Sequence, residues 1–201
     1  MTRIKICGLS RLEDVDAVNH ARPDFCGFVV NFPPSRRSVT EETLRALRGR
    51  LCDAVTPVGV FVDQPAEAVA RLQNEGAVAV AQLHGGEDEA YLARLRRLTG
   101  GKPVWKAFRV RSEADLAAAR ASSADLVLLD NGQGTGQTFD WSLLANWDRP
   151  FLLAGGLTPQ TLPAAIRTLR PWGVDLSSGV ETAGSKDPQK IQAAVAAARE
   201  E

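Results

Sequence analysis

Eight short apolar segments recur along the chain, and each has the length of a β-strand. They are Ile4–Cys7, Phe25–Val30, Val55–Val62, Val78–Leu83, Val104–Phe108, Leu126–Leu129, Phe151–Ala154 and Val174–Ser177. Several are almost continuously hydrophobic, which is typical of parallel strands that are covered on both faces. The pattern therefore predicts eight strands of a parallel sheet.

Segments with helical periodicity lie between these strands. They are Leu12–Ala21, Glu41–Leu51, Ala66–Glu75, Glu87–Leu98, Glu113–Ala121, a short piece over Trp141–Trp147, a helix from Thr158 to Arg170, and a last helix that begins at Pro188. Thr40, Ser112, Thr158 and Asp187 stand where helix N-caps are expected, and Thr158 and Asp187 are each followed by a proline. Each strand is thus followed by a helix or a short helical piece.

Strict alternation of strands and helices predicts a parallel sheet with right-handed crossovers. An open doubly wound sheet and a closed barrel both satisfy it, and eight units favour the barrel. The chain has 201 residues, fewer than the roughly 250 of a typical barrel. We therefore predict a compact (β/α)₈ TIM barrel with short loops, formed by one catalytic domain over residues 1–201.

Composition and charge narrow the possible functions. The 24 Lys and Arg residues balance 24 Asp and Glu residues, whereas a nucleic-acid binder needs a basic stripe. The apolar runs are too short to span a bilayer, and the N-terminus has no signal-peptide core, so we expect a cytoplasmic protein. Three cysteines without metal-ligand spacing argue against disulfides and zinc.

Polar residues stand at the carboxyl ends of three predicted strands, where barrel enzymes place their catalytic groups. Cys7 shares one face of the first strand with Lys5, so it is either a base assisted by a nearby cation or a small buried residue. His84 ends the fourth strand before a glycine pair, as a site residue or a structural histidine. Asp130 closes the apolar sixth strand, which makes it a candidate general acid. The glycine-rich run over residues 131–136 lacks dinucleotide spacing and is interpreted as a loop.

Two further groups of loops have the chemistry to bind anions. Gly155 and Gly156 follow the seventh strand, and Ser177 and Ser178 follow the eighth, which are the loops that hold phosphate in many barrels. Two adjacent arginines, Arg36 and Arg37, lie in the proline-containing loop after the second strand. A guanidinium there can bind a carboxylate through two hydrogen bonds, and at least one of the two is a solvated surface residue.

Ten short motifs, in order from the first strand to the last, resemble the phosphoribosylanthranilate isomerases. They are Lys5-Ile6-Cys7-Gly8, Gly27-Phe28-Val29, Ser35-Arg36-Arg37, Val58-Gly59-Val60-Phe61-Val62, Gln82-Leu83-His84-Gly85, Leu129-Asp130, Gly134-Thr135-Gly136, Phe139-Asp140-Trp141, Ala154-Gly155-Gly156-Leu157 and Val174-Asp175-Leu176-Ser177-Ser178-Gly179-Val180-Glu181. No single motif is decisive, but ten in register over the whole chain are specific.

This resemblance implies an Amadori rearrangement in tryptophan biosynthesis, without metal or cofactor. N-(5-phosphoribosyl)anthranilate becomes 1-(2-carboxyphenylamino)-1-deoxyribulose 5-phosphate. By resemblance, Asp130 is the general acid that protonates the ribose ring oxygen, and Cys7 is the general base that removes the C2′ proton. The resemblance also assigns substrate contacts to His84 and Asp175, and phosphate contacts to Gly155, Gly156, Ser177 and Ser178.

The chain departs from the family pattern in the loop after the second strand. One extra residue shifts the expected carboxylate-binding arginine to Arg37, and Arg36 stands where a proline or lysine is common. Ser10 also replaces the usual threonine. Both arginines therefore remain candidates for the substrate carboxylate.

Two other functions remain possible at this stage. One is a Schiff-base aldolase of a sugar phosphate that uses Lys106 on the fifth strand. The other is a barrel that binds a phosphorylated ligand without catalysis. A second activity on the related histidine-pathway sugar phosphate also remains open, as does the oligomeric state, monomer or homodimer.

Overall fold

Eight parallel strands close into a barrel in the computed structural model, which describes residues 1–130, 141–144 and 147–200. The strands are β1 (Arg3–Cys7), β2 (Phe25–Val30), β3 (Thr56–Phe61), β4 (Val80–Leu83), β5 (Val104–Arg109), β6 (Leu126–Asp130), β7 (Phe151–Leu153) and β8 (Gly173–Leu176). β1 pairs in parallel with both β2 and β8, which closes the ring. The predicted (β/α)₈ fold is confirmed, and the strand bounds lie within two residues of those predicted.

Seven α-helices surround the barrel in the described part of the chain. They are α1 (Leu12–Ala21), α2 (Glu41–Arg50), α3 (Ala66–Asn74), α4 (Glu89–Thr99), α5 (Glu113–Ala121), α6 (Leu162–Leu169) and α7 (Pro188–Glu200). The predicted caps at Thr40 and Ser112 are confirmed, because their hydroxyls accept hydrogen bonds from the backbone N–H of Thr43 and Asp115. Asp187 likewise accepts from the N–H groups at the start of α7.

One helix prediction was wrong in its starting residue, and another falls partly outside the described residues. The helix expected from Thr158 begins only at Leu162, because Thr158 forms a turn in which its N–H donates to Thr161 Oγ1 at 2.9 Å. The helical piece expected over Trp141–Trp147 is a 3₁₀ turn over Trp141–Leu144 in the described residues.

The core has two parts, which follow from the alternation of side chains along each strand. Ile4 and Ile6 of β1 are fully buried in the larger cluster, between strands and helices. A smaller cluster that includes Val58, Trp105 and Leu128 fills the lower barrel interior. Above this apolar cluster, polar side chains point into the barrel at the carboxyl ends of the strands. Among the described residues, none of the helices is long and apolar enough to cross a bilayer.

Candidate active site

A cavity of about 320 Å³ opens at the carboxyl ends of the barrel strands. It is lined by nine of the ten site residues predicted above, which are Cys7, Arg37, His84, Asp130, Gly155, Gly156, Asp175, Ser177 and Ser178. Arg36 does not line it. The apolar parts of the wall come from Val29, Phe32, Val60, Val62, Ala154 and Leu157. The cavity thus combines an apolar wall with several ionisable groups, as expected of a small-molecule site.

The floor beside Cys7 holds a buried ion pair. Lys5 and Cys7 are two residues apart on the inward face of β1, and the Lys5 side chain is fully buried. Its ammonium nitrogen donates to Asp175 Oδ2 at 2.9 Å, and the register pairs Lys5 with Asp175 across β1 and β8. The other Asp175 oxygen, Oδ1, is buried without a hydrogen-bond partner in the described chain. A cation is therefore fixed next to the thiol.

Gly27 on β2 makes room for both side chains. It pairs with Cys7 in the β1–β2 register. A Cβ atom at Gly27 would lie 2.8 Å from Cys7 Sγ and 3.1 Å from both Lys5 Cε and Nζ. Glycine is thus required at this position by space, not by backbone conformation.

The charges in this floor act on the protonation of Cys7 in opposite directions. Burial raises the pKa of the Cys7 thiol above its ordinary value, and the ammonium group of Lys5 opposes that rise. Burial alone would lower the pKa of Lys5, but the negative charges of Asp175 and Cys7 outweigh it, so the pKa of Lys5 is raised. Lys5 consequently remains positive while the thiol titrates.

Asp130 and His84 come from strands on another side of the cavity from Cys7. Asp130 is the half-buried last residue of β6, and its carbonyl oxygen accepts from the N–H of Val110 at 2.7 Å. His84 Nδ1 lies 3.3 Å from Gln82 Nε2. The pKa of His84 is lowered, because loss of contact with water outweighs the charge of Asp130.

The loops after β7 and β8 pack tightly against each other. A Cβ atom at Gly179 would lie 1.8 Å from the carbonyl oxygen of Leu157, so only glycine fits there. Gly155 and Gly156 both have positive φ, at 98° and 64°. Their N–H groups, like that of Ser178, donate no hydrogen bond to another described residue. Backbone donors of this kind are suited to bind the oxygens of a phosphate.

The two adjacent arginines have different positions. Arg37 lines the cavity, and its Nε and Nη2 donate to Glu181 Oε1 and Oε2 at 2.7 and 2.9 Å. Arg36 is largely exposed and donates to the carbonyl oxygen of Gly184 at 2.7 Å and to Glu181. Only Arg37 is therefore placed to reach a ligand in the cavity.

Lys106, the candidate Schiff-base lysine, does not line the cavity. Its buried ammonium group donates to Glu87 Oε2 and to the carbonyl oxygen of Gly85, both at 2.7 Å. Because this amine is paired away from the cavity, the geometry gives no support to an aldolase.

Three residues that sequence reasoning did not name as site residues matter to this geometry. Gln82 lines the cavity, and its Oε1 atom is buried without a partner in the described chain. Glu181 accepts hydrogen bonds from Arg37, and Lys186 donates to the carbonyl oxygen of Ser177 in the β8 loop.

Of the described residues, none form a group of three or more His, Cys, Asp or Glu that could hold a metal ion. The glycine-rich run over 131–136 lies outside the described residues.

Polar groups at this end of a barrel, with glycine-rich loops after the last two strands, are typical of enzymes that act on phosphorylated substrates, and this chain has that arrangement. Its relationship to known proteins is specific. The family model described as N-(5′-phosphoribosyl)anthranilate (PRA) isomerase matches residues 4–197. The chain belongs to this family.

Individual relatives agree with the family. The N-(5′-phosphoribosyl)anthranilate isomerase of Endomicrobium trichonymphae is 44% identical over 196 residues, which cover 95% of each chain. A phosphoribosyl anthranilate isomerase solved in complex with reduced 1-(o-carboxyphenylamino)-1-deoxyribulose 5-phosphate is 33% identical, with a TM-score of 0.87 over 100% of both chains. Monomers generated from the dimeric enzyme of Thermotoga maritima are 34% identical, with a TM-score of 0.86 over 100% of both chains.

Proposed function

We propose that this chain catalyses the Amadori rearrangement of N-(5-phosphoribosyl)anthranilate in tryptophan biosynthesis, with Cys7 as general base and Asp130 as general acid. The observation that carries the proposal is that both residues line one cavity, from β1 and from β6. These strands are separated by β7 and β8 around the ring. The two groups can therefore act on different atoms of one bound substrate.

The first step opens the ribose ring. The carboxyl group of Asp130 gives its proton to the ring oxygen as the C1′–O bond breaks, and the anthranilate nitrogen, which keeps its hydrogen, forms a protonated imine with C1′. One positioned acid is enough, because the nitrogen lone pair supplies the electrons for the new C=N bond.

The second step moves a proton away from C2′. The Cys7 thiolate removes it, and the electron pair neutralises the protonated imine to give an enolamine. The enolamine becomes the ketone when C1′ gains a proton and the C2′ hydroxyl group loses one. Lys5 stabilises the thiolate form of Cys7, and Asp175 holds Lys5 in place through its 2.9 Å ion pair. This support matters because burial alone disfavours a charged thiolate.

The two ends of the substrate carry negative charge and need separate partners. Arg37 would receive the anthranilate carboxylate, and the loops with Gly155, Gly156, Ser177 and Ser178 would receive the phosphate. Asp175 Oδ1 and Gln82 Oε1 are buried acceptors in the wall, and they are suited to ribose hydroxyl groups. His84 completes the wall near Asp130. Binding of the substrate carboxylate by Arg36 stays a prediction, and this geometry does not favour it.

The test is a turnover assay with phosphoribosylanthranilate, whose fluorescence disappears as the product forms. Wild-type protein should consume it, whereas Cys7→Ala and Asp130→Ala should each retain the fold by circular dichroism and lose almost all turnover. A folded wild-type protein that binds the substrate without consuming it would instead favour the non-catalytic binding barrel. Light scattering of the same preparation decides between monomer and homodimer.

A further inference from the structure

Glu181 is a buried carboxylate outside the cavity, and it is surrounded by cations. Its side chain is only 5% exposed, and it lies directly after the short 3₁₀ turn that follows β8. Both oxygens accept from Arg37, Oε1 also accepts from Lys186 Nζ at 2.8 Å, and Arg36 donates to Oε2. One carboxylate thus joins the loop after β2 to the loop after β8.

On the arginine side, Glu181 fixes the direction of the guanidinium group. Arg37 uses Nε and Nη2 for Glu181, so Nη1 is the donor left for a ligand, with no hydrogen-bond partner among the described residues. The stem is held as well, since a Cβ atom at Gly8 would lie 2.3 Å from Arg37 Cδ. A guanidinium clamped through two hydrogen bonds loses little further freedom when it binds a carboxylate.

On the phosphate side, Glu181 reaches the β8 loop through Lys186. The Lys186 side chain is 2% exposed. Its Nζ donates to the carbonyl oxygen of Ser177 at 2.9 Å and lies 3.4 Å from Ser177 Oγ. Ser177 Oγ in turn donates to the carbonyl oxygen of Cys7 at 3.1 Å. The arginine, the phosphate loop and the strand that carries the base are therefore linked by one chain of hydrogen bonds.

We propose that Glu181 is a positioning residue, which holds Arg37 at a fixed distance from the β8 loop so that both anionic ends of the substrate are bound at once. This inference rests on the proposed function, because it takes the carboxylate to Arg37 and the phosphate to the loop. Glu181 itself does not line the cavity and touches no reacting atom. Its loss should weaken binding of the whole substrate more than it slows the chemical step.

The experiment compares Glu181→Gln with the wild-type protein in two measurements. KM for phosphoribosylanthranilate should rise roughly 10- to 100-fold, as for the loss of a charge-assisted contact, with kcat within about 3-fold. The competitive inhibition constant of inorganic phosphate should stay within about 3-fold of the wild-type value. Phosphate occupies only the β8 loop, so its binding does not depend on the distance between that loop and Arg37. A role limited to loop folding would raise both constants together.

Glu87→Gln is the matched control. Glu87 is also a buried carboxylate bonded to a buried lysine in a loop after a strand, but its partners are Lys106 and the backbone N–H groups of Asp63 and Gly85, and not Arg37 or the β8 loop. Its removal should lower the melting temperature and leave KM within about 3-fold of the wild type. If Glu181→Gln does not fold, Glu181→Asp keeps a negative charge beside Lys186 and shortens the side chain by one methylene group, so it should show the same separation of the two constants.

The outcomes separate the two proposals. An active wild-type protein together with an unchanged KM in Glu181→Gln, or with parallel rises in KM and in the phosphate inhibition constant, overturns the role of Glu181. A wild-type protein that does not consume phosphoribosylanthranilate overturns the proposed function instead.

Discussion

The ammonium nitrogen of Lys5 lies 2.9 Å from Oδ2 of Asp175, on adjacent strands, two residues before Cys7 on the same face of β1. A fully buried lysine is costly unless it is paired. Here the pair places a permanent positive charge next to a thiol whose pKa is otherwise raised by burial. The activation of Cys7 therefore depends on a residue that never has to contact the substrate.

Replacing Lys5 with methionine should change the pH dependence of catalysis. Without the cation, the pKa of Cys7 rises further, so the thiolate fraction at neutral pH falls. We expect the acid limb of kcat/KM to move to higher pH by about one unit or more, and kcat/KM at pH 7 to fall about 10-fold or more. The measurement is a pH profile of kcat/KM.

Lys106→Met is the control for this variant. Lys106 is likewise buried and paired with a carboxylate at 2.7 Å, but it lies on β5 and not beside Cys7 on β1. Both variants should lower the free energy of unfolding by about 3–5 kcal/mol, because each leaves a buried charge unpaired. An equal shift of the acid limb in both would mean that Lys5 acts only through stability.

Gly27→Ala should reduce activity through one added methyl group. The new Cβ would lie 2.8 Å from Cys7 Sγ, closer than van der Waals contact allows, so the thiol must move. We expect kcat to fall about 10-fold or more, because catalysis is sensitive to displacements of this size. Gly49→Ala is the control, since nothing lies within 4 Å of its Cβ position. Full activity in Gly27→Ala would show that the placement of the thiol is not critical.

Arg37→Met and Arg36→Met should separate the two neighbouring arginines. Both side chains donate to Glu181, but only Arg37 lines the cavity. We expect KM to rise roughly 10- to 100-fold in Arg37→Met and to change by less than about 3-fold in Arg36→Met. The reverse order of effects would assign the substrate carboxylate to Arg36.

Glu181 should also make the stability of the protein fall as the pH is lowered into the acid range. Burial by itself raises the pKa of this carboxyl, but its hydrogen bonds and ion pairs with Arg37 and Lys186 lower the pKa to about 2, from an ordinary value of 4.5. A lowered folded-state pKa stabilises the protein above pH 4.5, and that contribution is lost as the pH falls toward 2. Melting temperatures from pH 6 to pH 2 should therefore fall more steeply for the wild type than for Glu181→Gln. Parallel curves would contradict this assignment.

The sequence predicted the barrel and most of the cavity, because both depend on local patterns. Alternation along β1 placed Lys5 and Cys7 inward, and the strand ends placed His84 and Asp130 at the same rim as Cys7. Asp175 was assigned only through the resemblance to the family. The helix expected from Thr158 begins only at Leu162, since Thr158 and Thr161 bond each other in a turn that spacing alone does not reveal. Thr158 Oγ1 still accepts from the N–H of Thr161 at 3.3 Å, which is the contact that a cap makes.

The role of Glu181 could not be predicted from the same patterns. It lies 144 positions from Arg37 in the chain, and no periodicity links the two residues. The predicted order of the strands nevertheless indicated that the two residues are close. In a closed barrel, strands two and eight both flank strand one, so the loop with two arginines and the loop with Glu181 had to be close neighbours.

The most direct test of the central claim is the single-turnover loss of phosphoribosylanthranilate fluorescence, with enzyme in excess over substrate, in the wild type, Cys7→Ala and Asp130→Asn. Excess enzyme removes most of the effect of weaker binding, so the rate reports the proton transfers. Each variant should remain folded and bind the substrate, yet react about 10²- to 10⁴-fold more slowly than the wild type. A rate near that of the wild type in either variant would contradict the assignment of Cys7 as base and Asp130 as acid.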